Sequence, residues 1–296
     1  MRDLQVKDTS STLRDAPPPS PSPARGDVAE PNASWLRAPL SLVFLACYVL
    51  YLVLFMGAGQ RLVIWPLITL LPSRRRAIVR WWLRTNARAT LGMARLLAGV
   101  RLTVQGSIAD EPCVAVMNHQ SVLDIPLGIY LIPGPYPLIP TRDRYGRGIP
   151  GISPLSRLAR FPLLAQRRSV SRAELRSLVA AAEQVAAGQQ SLLIYPEGHR
   201  TRRGEIAPFM KPGLRLILSR ARRPVYVIVA DGIWHVRTFI DAALRFVGTS
   251  IDVIILGPFT PPSNAAELDA FIDTLHRHME AALVEIRTHR AVSPQP

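Results

Sequence analysis

Cys113-Val114-Ala115-Val116-Met117, followed at once by Asn118-His119-Gln120-Ser121-Val122-Leu123-Asp124, joins an apolar run to a polar turn that opens a helix. The first five residues read as a short strand buried on both faces. Ser121, with Asp124 three residues later and Ile125, Leu127 and Ile129 beyond, reads as a helix start. A strand running straight into a helix is the repeating unit of an α/β fold. The same residues carry chemistry, because an imidazole takes up a proton near neutral pH and a neighbouring carboxylate fixes its tautomer. Within one continuous helix, residues five apart lie about 140° around the axis. His119 and Asp124 therefore meet only if His119 sits in the turn before the helix. Taken alone, the stretch is equally readable as a capping box beside an ordinary loop histidine.

Outward from this unit the alternation continues. Arg101 to Gln105, Pro137 to Pro140, Phe161 to Ala165, Ser191 to Tyr195, Val225 to Ala230 and Ile251 to Leu256 read as strands. Ser121 to Ile132, Ser171 to Ala187, Gly213 to Ala221 and Asn264 to about Arg287 read as helices. The pattern predicts an α/β domain over residues 100–290, with a mixed, largely parallel sheet flanked by helices, and a flexible end at 291–296.

The chain before residue 100 has another character. Residues 1–34 are polar and centre on Pro17-Pro18-Pro19-Ser20-Pro21-Ser22-Pro23. They are too poor in apolar surface to offset the entropy of ordering, so a disordered tail is expected. Residues 35–99 are expected to form a membrane-associated helical segment. Pro39 to Ala58 is a run of 20 uncharged, mostly apolar residues, the length that crosses a hydrocarbon core. A second apolar stretch, Leu62 to Leu71, contains Pro66 and is too short to span, so the two runs suggest a hairpin that dips into the membrane. Between Arg61 and Ala109 stand nine arginines and no carboxylate. Arg74, Arg75, Arg76, Arg80, Arg84, Arg88 and Arg95 recur at helical spacing beside Trp81 and Trp82, as on a helix lying against anionic headgroups. A solvated basic face on a core helix is the plainer alternative. If the first run spans, this arginine excess puts the domain on the cytoplasmic side, at the inner membrane of a bacterium.

The formal net charge is +15, carried by 34 Arg and two Lys against 21 Asp and Glu. Such a surface attracts anions, and composition alone leaves nucleic acid and anionic lipid both open. Cys47 and Cys113 lie far apart in apolar runs, which argues against a disulfide framework or a cysteine metal site. The histidines show no ligand spacing, and no metal is expected.

Two further stretches decide the reading. Leu193-Ile194-Tyr195-Pro196-Glu197-Gly198-His199-Arg200 ends a strand in a loop bearing a carboxylate, a glycine and a guanidinium shaped for phosphate, with Arg202, Arg203 and Lys211 after it. Phe161-Pro162-Leu163-Leu164-Ala165-Gln166-Arg167-Arg168 ends a strand in two arginines. In this order, and at these separations, the three stretches resemble the glycerolipid acyltransferase family typified by the 1-acylglycerol-3-phosphate O-acyltransferases, over about residues 76 to 260. Asn118-His119 through Asp124 matches its Asn-His-x4-Asp motif, and Arg167 falls at the arginine closing its second motif. Glu197-Gly198-His199-Arg200 is similar to its Glu-Gly-Thr-Arg motif, and Pro208-Phe209-Met210-Lys211-Pro212-Gly213 to the Pro-Phe-Lys-x-Gly stretch after it.

The resemblance implies transfer of an acyl group from acyl-CoA or acyl carrier protein to the hydroxyl of a lysophospholipid, 1-acylglycerol-3-phosphate first. His119 is the implied general base and Asp124 its partner. Asn118, Arg167, Glu197, Gly198, Arg200 and Lys211 are the implied substrate-binding residues, with Asn118 and nearby N–H groups facing the oxyanion and the arginines facing phosphate. Anionic membrane lipids are the implied surroundings; no cofactor and no nucleic acid are expected. Departures cluster on the acceptor side. His199 stands where the family has Thr, Gln166 where it has Asp, Phe161 where it has Gly, and Val227 at the second proline of its fourth motif. Another acceptor, such as a lyso-ornithine lipid, therefore stays open, as does a non-enzymatic basic membrane-anchored module. The absence of Gly-x-Ser-x-Gly from the sequence argues against a serine hydrolase. Cys113, inside its strand with no basic neighbour, makes a poor nucleophile.

Overall fold

The computed structural model describes residues 37–165, 171–236, 241 and 246–292. The expectations for residues 1–34 and 293–296, and for Gln166 and Arg167, lie outside the described residues.

A long helix comes first. It begins as α1 (Arg37–Leu50), continues in wide turns through Tyr51–Ala58 and Gln60–Ile64, and closes as α2 (Trp65–Leu70). Phe44, Leu52, Met56, Gln60, Ile64 and Ile68 are buried and Tyr48 partly so, a stripe that repeats every four residues. At 3.6 residues per turn a four-residue repeat precesses by about 40° each step. The wider i→i+5 turns hold more residues and keep the stripe on one side. The hairpin expected between the two apolar runs is therefore absent: Gly57 to Arg61 lie within the long helix, and Pro66 falls at the seam where the wide turns give way to α2.

The fold-back comes later, at Leu71 and Pro72, and leads into the arginine-rich α3 (Arg75–Ala98). Tyr51 Oη donates to Asn86 Oδ1 at 2.6 Å, and Phe55 stacks on Trp82 at 5.4 Å. Later residues of one helix meet earlier residues of the other, so the pair is antiparallel. This pair is no separate domain, because its buried side chains belong to the same core as the sheet. Gln60 Nε2 donates to Gly151 O at 2.9 Å, Arg75 to Leu158 O at 2.6 Å and Arg84 to Gly134 O at 2.8 Å. Part of the arginine run thus serves packing. Arg80, Arg88 and Arg95 remain exposed on α3 with Trp81 and Leu96. Among the described residues one helix, Pro39–Leu70, is long and apolar enough to cross a membrane.

The rest is the expected α/β layer. The strands of the main sheet are β1 (Arg101–Gln105), β2 (Val114–Met117), β3 (Pro137–Leu138), β6 (Ser191–Ile194), β7 (Val225–Asp231) and β8 (Ser250–Phe259), in the order β1-β8-β7-β2-β6-β3. β7, β2, β6 and β3 run one way, while β8 is antiparallel to β7 and parallel to β1. Every residue of β2 and β7 is buried, which is why both read as unbroken apolar runs. The helices are α4 (Asp124–Leu131), α5 (Ile152–Ala159), α6 (Arg172–Ala186), α7 (Lys211–Ala221) and α8 (Leu268–Val292). α4 lies so close to the sheet that a Cβ on Gly128 would strike Leu193 of β6.

Two sequence readings change here. Leu163–Leu164 (β5) pairs with Thr141–Arg142 (β4) in a small separate sheet rather than joining the main one. The helix α5 between them, eight residues long, is not among the expected helices.

Candidate active site

Because β7, β2 and β6 are neighbours and parallel, their carboxyl ends open on one edge, where ligands of open α/β sheets gather. That edge carries His119 after β2, Tyr195 and Glu197 after β6, and Asp231 at the end of β7.

The departure of the chain from β2 is built by Asn118. Its Nδ2 donates to Ala230 O and its Oδ1 accepts from Ala230 N, both at 2.8 Å. The side chain imitates one more peptide of the β2–β7 ladder, so the backbone is released and His119 turns outward. Each polar end of Asn118 thereby holds a partner on β7, which makes it a residue that shapes the turn. The nearby N–H groups are occupied too. His119 N donates to Glu197 Oε1 at 2.9 Å, Gln120 N to Asp124 Oδ2 at 2.6 Å, and Ser121 N to the same oxygen at 2.8 Å.

Asp124 is the first residue of α4 and is fully buried. Its Oδ2 also takes the Nδ1 of His119 at 2.8 Å. The capping box read from Ser121 and Asp124 is half formed: Ser121 N donates to the Asp124 carboxylate, while Asp124 N turns to Ser121 O and the Ser121 hydroxyl donates to Val236 O. One carboxylate oxygen does both jobs, gathering the N–H groups of the turn and holding the imidazole. A proton held on Nδ1 by a carboxylate leaves Nε2 as the basic nitrogen. The Tyr195 ring stacks on the imidazole at 4.3 Å between centroids, 25° from parallel. Burial, with the charge of Asp124, pushes the Tyr195 phenol well above its ordinary range, so it stays neutral.

Glu197 lies behind His119 and is 2% exposed. Its second oxygen accepts from Ala207 N at 2.8 Å, so the carboxyl ties the His119 turn to the far side of the following loop. Burial raises its pKa, and the two backbone N–H bonds partly offset that rise. Thr201 N adds a second tie, donating to His119 O at 2.8 Å. Replacing Glu197 by Gln sets an amide NH2 against one of these N–H donors and leaves a buried donor unpaired, at about 1–3 kcal/mol. Glu197→Gln is expected to lower Tm by a few degrees in a thermal melt and to lower kcat with it.

In front of His119 opens a cavity of ≈ 900 Å³. Arg142 and Arg144 line it, together with His199, Arg200, Arg202 and Arg203 of the loop after β6 and with Glu205 as an acidic residue. Ile125, Ile139 and Ile206 supply apolar wall. Arg142 crosses to the loop and donates to Gly198 O at 2.7 Å. Gly198 has φ +68°, and a side chain there would collide with Met210, which explains a glycine at this bend.

Of the residues singled out in the sequence, His119, Asp124, Glu197, Gly198 and Arg200 come together. Lys211 does not; it starts α7, pairs with Asp273 of α8 at 2.7 Å and lines a different surface groove. Arg142 and Arg144 were missed, because one lies in a two-residue strand and the other in the short turn after it, with too little pattern to reveal where they lead. Cys113 sits within the core beside Ser191, and burial pushes its thiol up to about 11, too high for a nucleophile at neutral pH. Among the described residues no group of three or more His, Cys, Asp or Glu side chains is placed to hold a metal ion.

Residues 100–231 match the Acyltransferase family model, from the start of β1 to the end of β7. The 1-acyl-sn-glycerol-3-phosphate acyltransferase beta of Homo sapiens is 27% identical over 178 residues, 60% of this chain and 61% of its own. The 1-acyl-sn-glycerol-3-phosphate acyltransferase of Cocos nucifera is 27% identical over 221 residues, 72% of this chain and 66% of its own. The chain thus spans somewhat less than two thirds of the length of each of these relatives. The crystal structure of the 1-acyl-sn-glycerophosphate (LPA) acyltransferase PlsC from Thermotoga maritima shares the fold, with a TM-score of 0.64 at 19% identity over 85% of this chain and 96% of that one. Family match, described relatives and shared fold agree: over residues 100–231 the chain carries an acyltransferase domain, similar to that of the 1-acyl-sn-glycerol-3-phosphate acyltransferases.

Proposed function

We propose that the protein transfers a fatty acyl group from an acyl thioester, acyl-CoA or acyl carrier protein, to the free hydroxyl of 1-acylglycerol-3-phosphate, giving phosphatidic acid. The observation that carries this reading is the His119–Asp124 pair, 2.8 Å apart, at the wall of an arginine-lined cavity. His119 Nε2 takes the proton of the acceptor hydroxyl as its oxygen attacks the thioester carbonyl carbon. The C–S bond breaks, the sulfur leaves with the proton held on Nε2, and the imidazole returns to its starting form. Asp124 stays ionised throughout, holding Nδ1–H and balancing the imidazolium. A thioester is already activated, so no covalent enzyme intermediate is needed.

Arg200 and Arg142, both lining the cavity, hold the acceptor phosphate, and Arg202 and Arg203 add positive field. Arg200→Ala is expected to raise KM for the phosphate-bearing acceptor about 10- to 100-fold, the weight of a charge-assisted hydrogen bond, with little change in kcat. The acceptor is a lipid, and the helical pair offers a surface to reach it. Leu62, Val63, Leu70, Trp81 and Leu96 are exposed there beside Arg80, Arg88 and Arg95, as suits embedding in an anionic bilayer.

Thiol release from acyl-CoA, followed by mass spectrometry of the products over a panel of lysolipids, tests the reading. Release with 1-acylglycerol-3-phosphate supports it. Release only with another lysolipid moves the acceptor, and no release with any acceptor overturns the activity.

A further inference from the structure

The side chain next to the base points away from the cavity. Gln120 Nε2 donates to Asp231 Oδ1 at 2.8 Å, at the end of β7. Asp231 is 1% exposed, and two arginines of α8 converge on it. Arg287 reaches Oδ1 at 3.1 Å and Oδ2 at 3.3 Å, and Arg290 reaches Oδ2 at 3.0 Å. Arg290 is held in turn by Asp252 of β8, with Nε to Oδ2 at 3.0 Å. A buried carboxylate matched by this many donors is a firm anchor, and through Gln120 it backs the turn that carries His119.

Arg287 makes one contact that Arg290 lacks. It donates to Gly204 O at 2.6 Å. Gly204 closes the loop that carries Arg200, Arg202 and Arg203 along the cavity, and it is packed against Trp234. Glu197 Oε1 and Thr201 N bind that loop to the catalytic turn near its beginning. Glu197 Oε2 holds Ala207 at the far side, and Arg287 secures the bend at Gly204 between these ties. The arrangement matters because one small acceptor must present its hydroxyl to His119 while the arginines hold its anionic group, so the separation of turn and loop has to be fixed.

We propose that Arg287 is a positioning residue which, by bridging Asp231 and Gly204, fixes the distance between the proton-abstracting turn and the anion-holding loop. The inference rests on the acyl transfer proposed above. The Arg287 side chain is 40% exposed, so truncation leaves no sealed cavity in the core.

The test uses the full chain and the variants R287M, R287K and R290M, with lysophosphatidate and acyl-CoA as substrates. R287M is expected to lower kcat on the order of 100-fold, the loss that a misplacement of about 1 Å brings. KM for lysophosphatidate stays within a few-fold, since the arginines that bind it are retained. R287K keeps a charged donor and is expected to recover at least about tenfold of that loss. R290M removes a donor from Asp231 but spares the tie to Gly204, and is expected to shift Tm as R287M does while lowering kcat far less. Unchanged kcat in R287M, or an equal fall in R287M and R290M, overturns the bridge. A wild-type chain silent with every lysolipid overturns the proposed function instead, and this inference with it.

Discussion

His119→Ala is expected to lower kcat by about 10²- to 10⁴-fold, the contribution of the proposed general base. KM for the lysolipid and the melting temperature change little. The separation of effects follows from the surroundings of the ring. His119 is 17% exposed, stands at a cavity wall and fills no core volume, so its loss leaves no large void. What holds the turn in shape is its backbone, through the N–H bonds of residues 119, 120 and 121 and the Thr201 bond to His119 O, and alanine keeps every one of them. Acyl transfer by purified His119→Ala at near wild-type rate, measured as thiol release with the product identified, would remove the general base from the mechanism. A large rise in KM with kcat preserved would make His119 a binding residue instead.

The dyad was legible in the sequence because its geometry is local. A buried strand, a turn and a helix start, five residues apart in their key positions, leave one arrangement in which imidazole and carboxylate meet. The central strands were legible for a related reason: β2 and β7 are buried on both faces and so read as continuous apolar runs. The loop after β6 was recognisable because Glu197, Gly198 and Arg200 stand together in the chain.

What the sequence hid depends on partners far along the chain. Asn118 shows its part in shaping the turn only once β7 is seen beside β2, with Ala230, 112 residues away, offering its N–H and carbonyl. Arg142 joins the cavity only because β4 pairs with β5 in a second small sheet. The long helix read as two runs because Arg61 interrupts the hydropathy, yet Arg61 points outward while Gln60 and Ile64 continue the buried stripe. Arg287 gave no signal at all. An arginine near the end of an amphipathic helix usually meets solvent, and only the fold brings Asp231 and Gly204 to it.

Asp124→Asn is expected to lower kcat on the order of 10³- to 10⁴-fold, the cost of a wrongly held imidazole tautomer. It is also expected to lower Tm, unlike His119→Ala. The carboxylate oxygen Oδ2 accepts from His119 Nδ1, Gln120 N and Ser121 N together. An amide in its place has two ways to sit. With its oxygen at the Oδ2 position, the three donors keep an acceptor but lose its full charge, so the imidazolium formed in the reaction is no longer balanced. With its nitrogen there, two backbone N–H groups face a donor, the turn loses its clamp, and Nδ1 can be satisfied only by the tautomer that puts the proton on Nε2, where it blocks base catalysis. Both outcomes reduce turnover, and the second costs about 1–3 kcal/mol for each buried N–H left unpaired. The discriminating measurement is the pair of variants side by side: Asp124→Asn loses activity and several degrees of Tm, His119→Ala loses activity alone. Equal stability in the two would mean that Asp124 holds the ring but not the turn. Wild-type activity in Asp124→Asn would mean that the 2.8 Å contact with His119 plays no part in proton transfer.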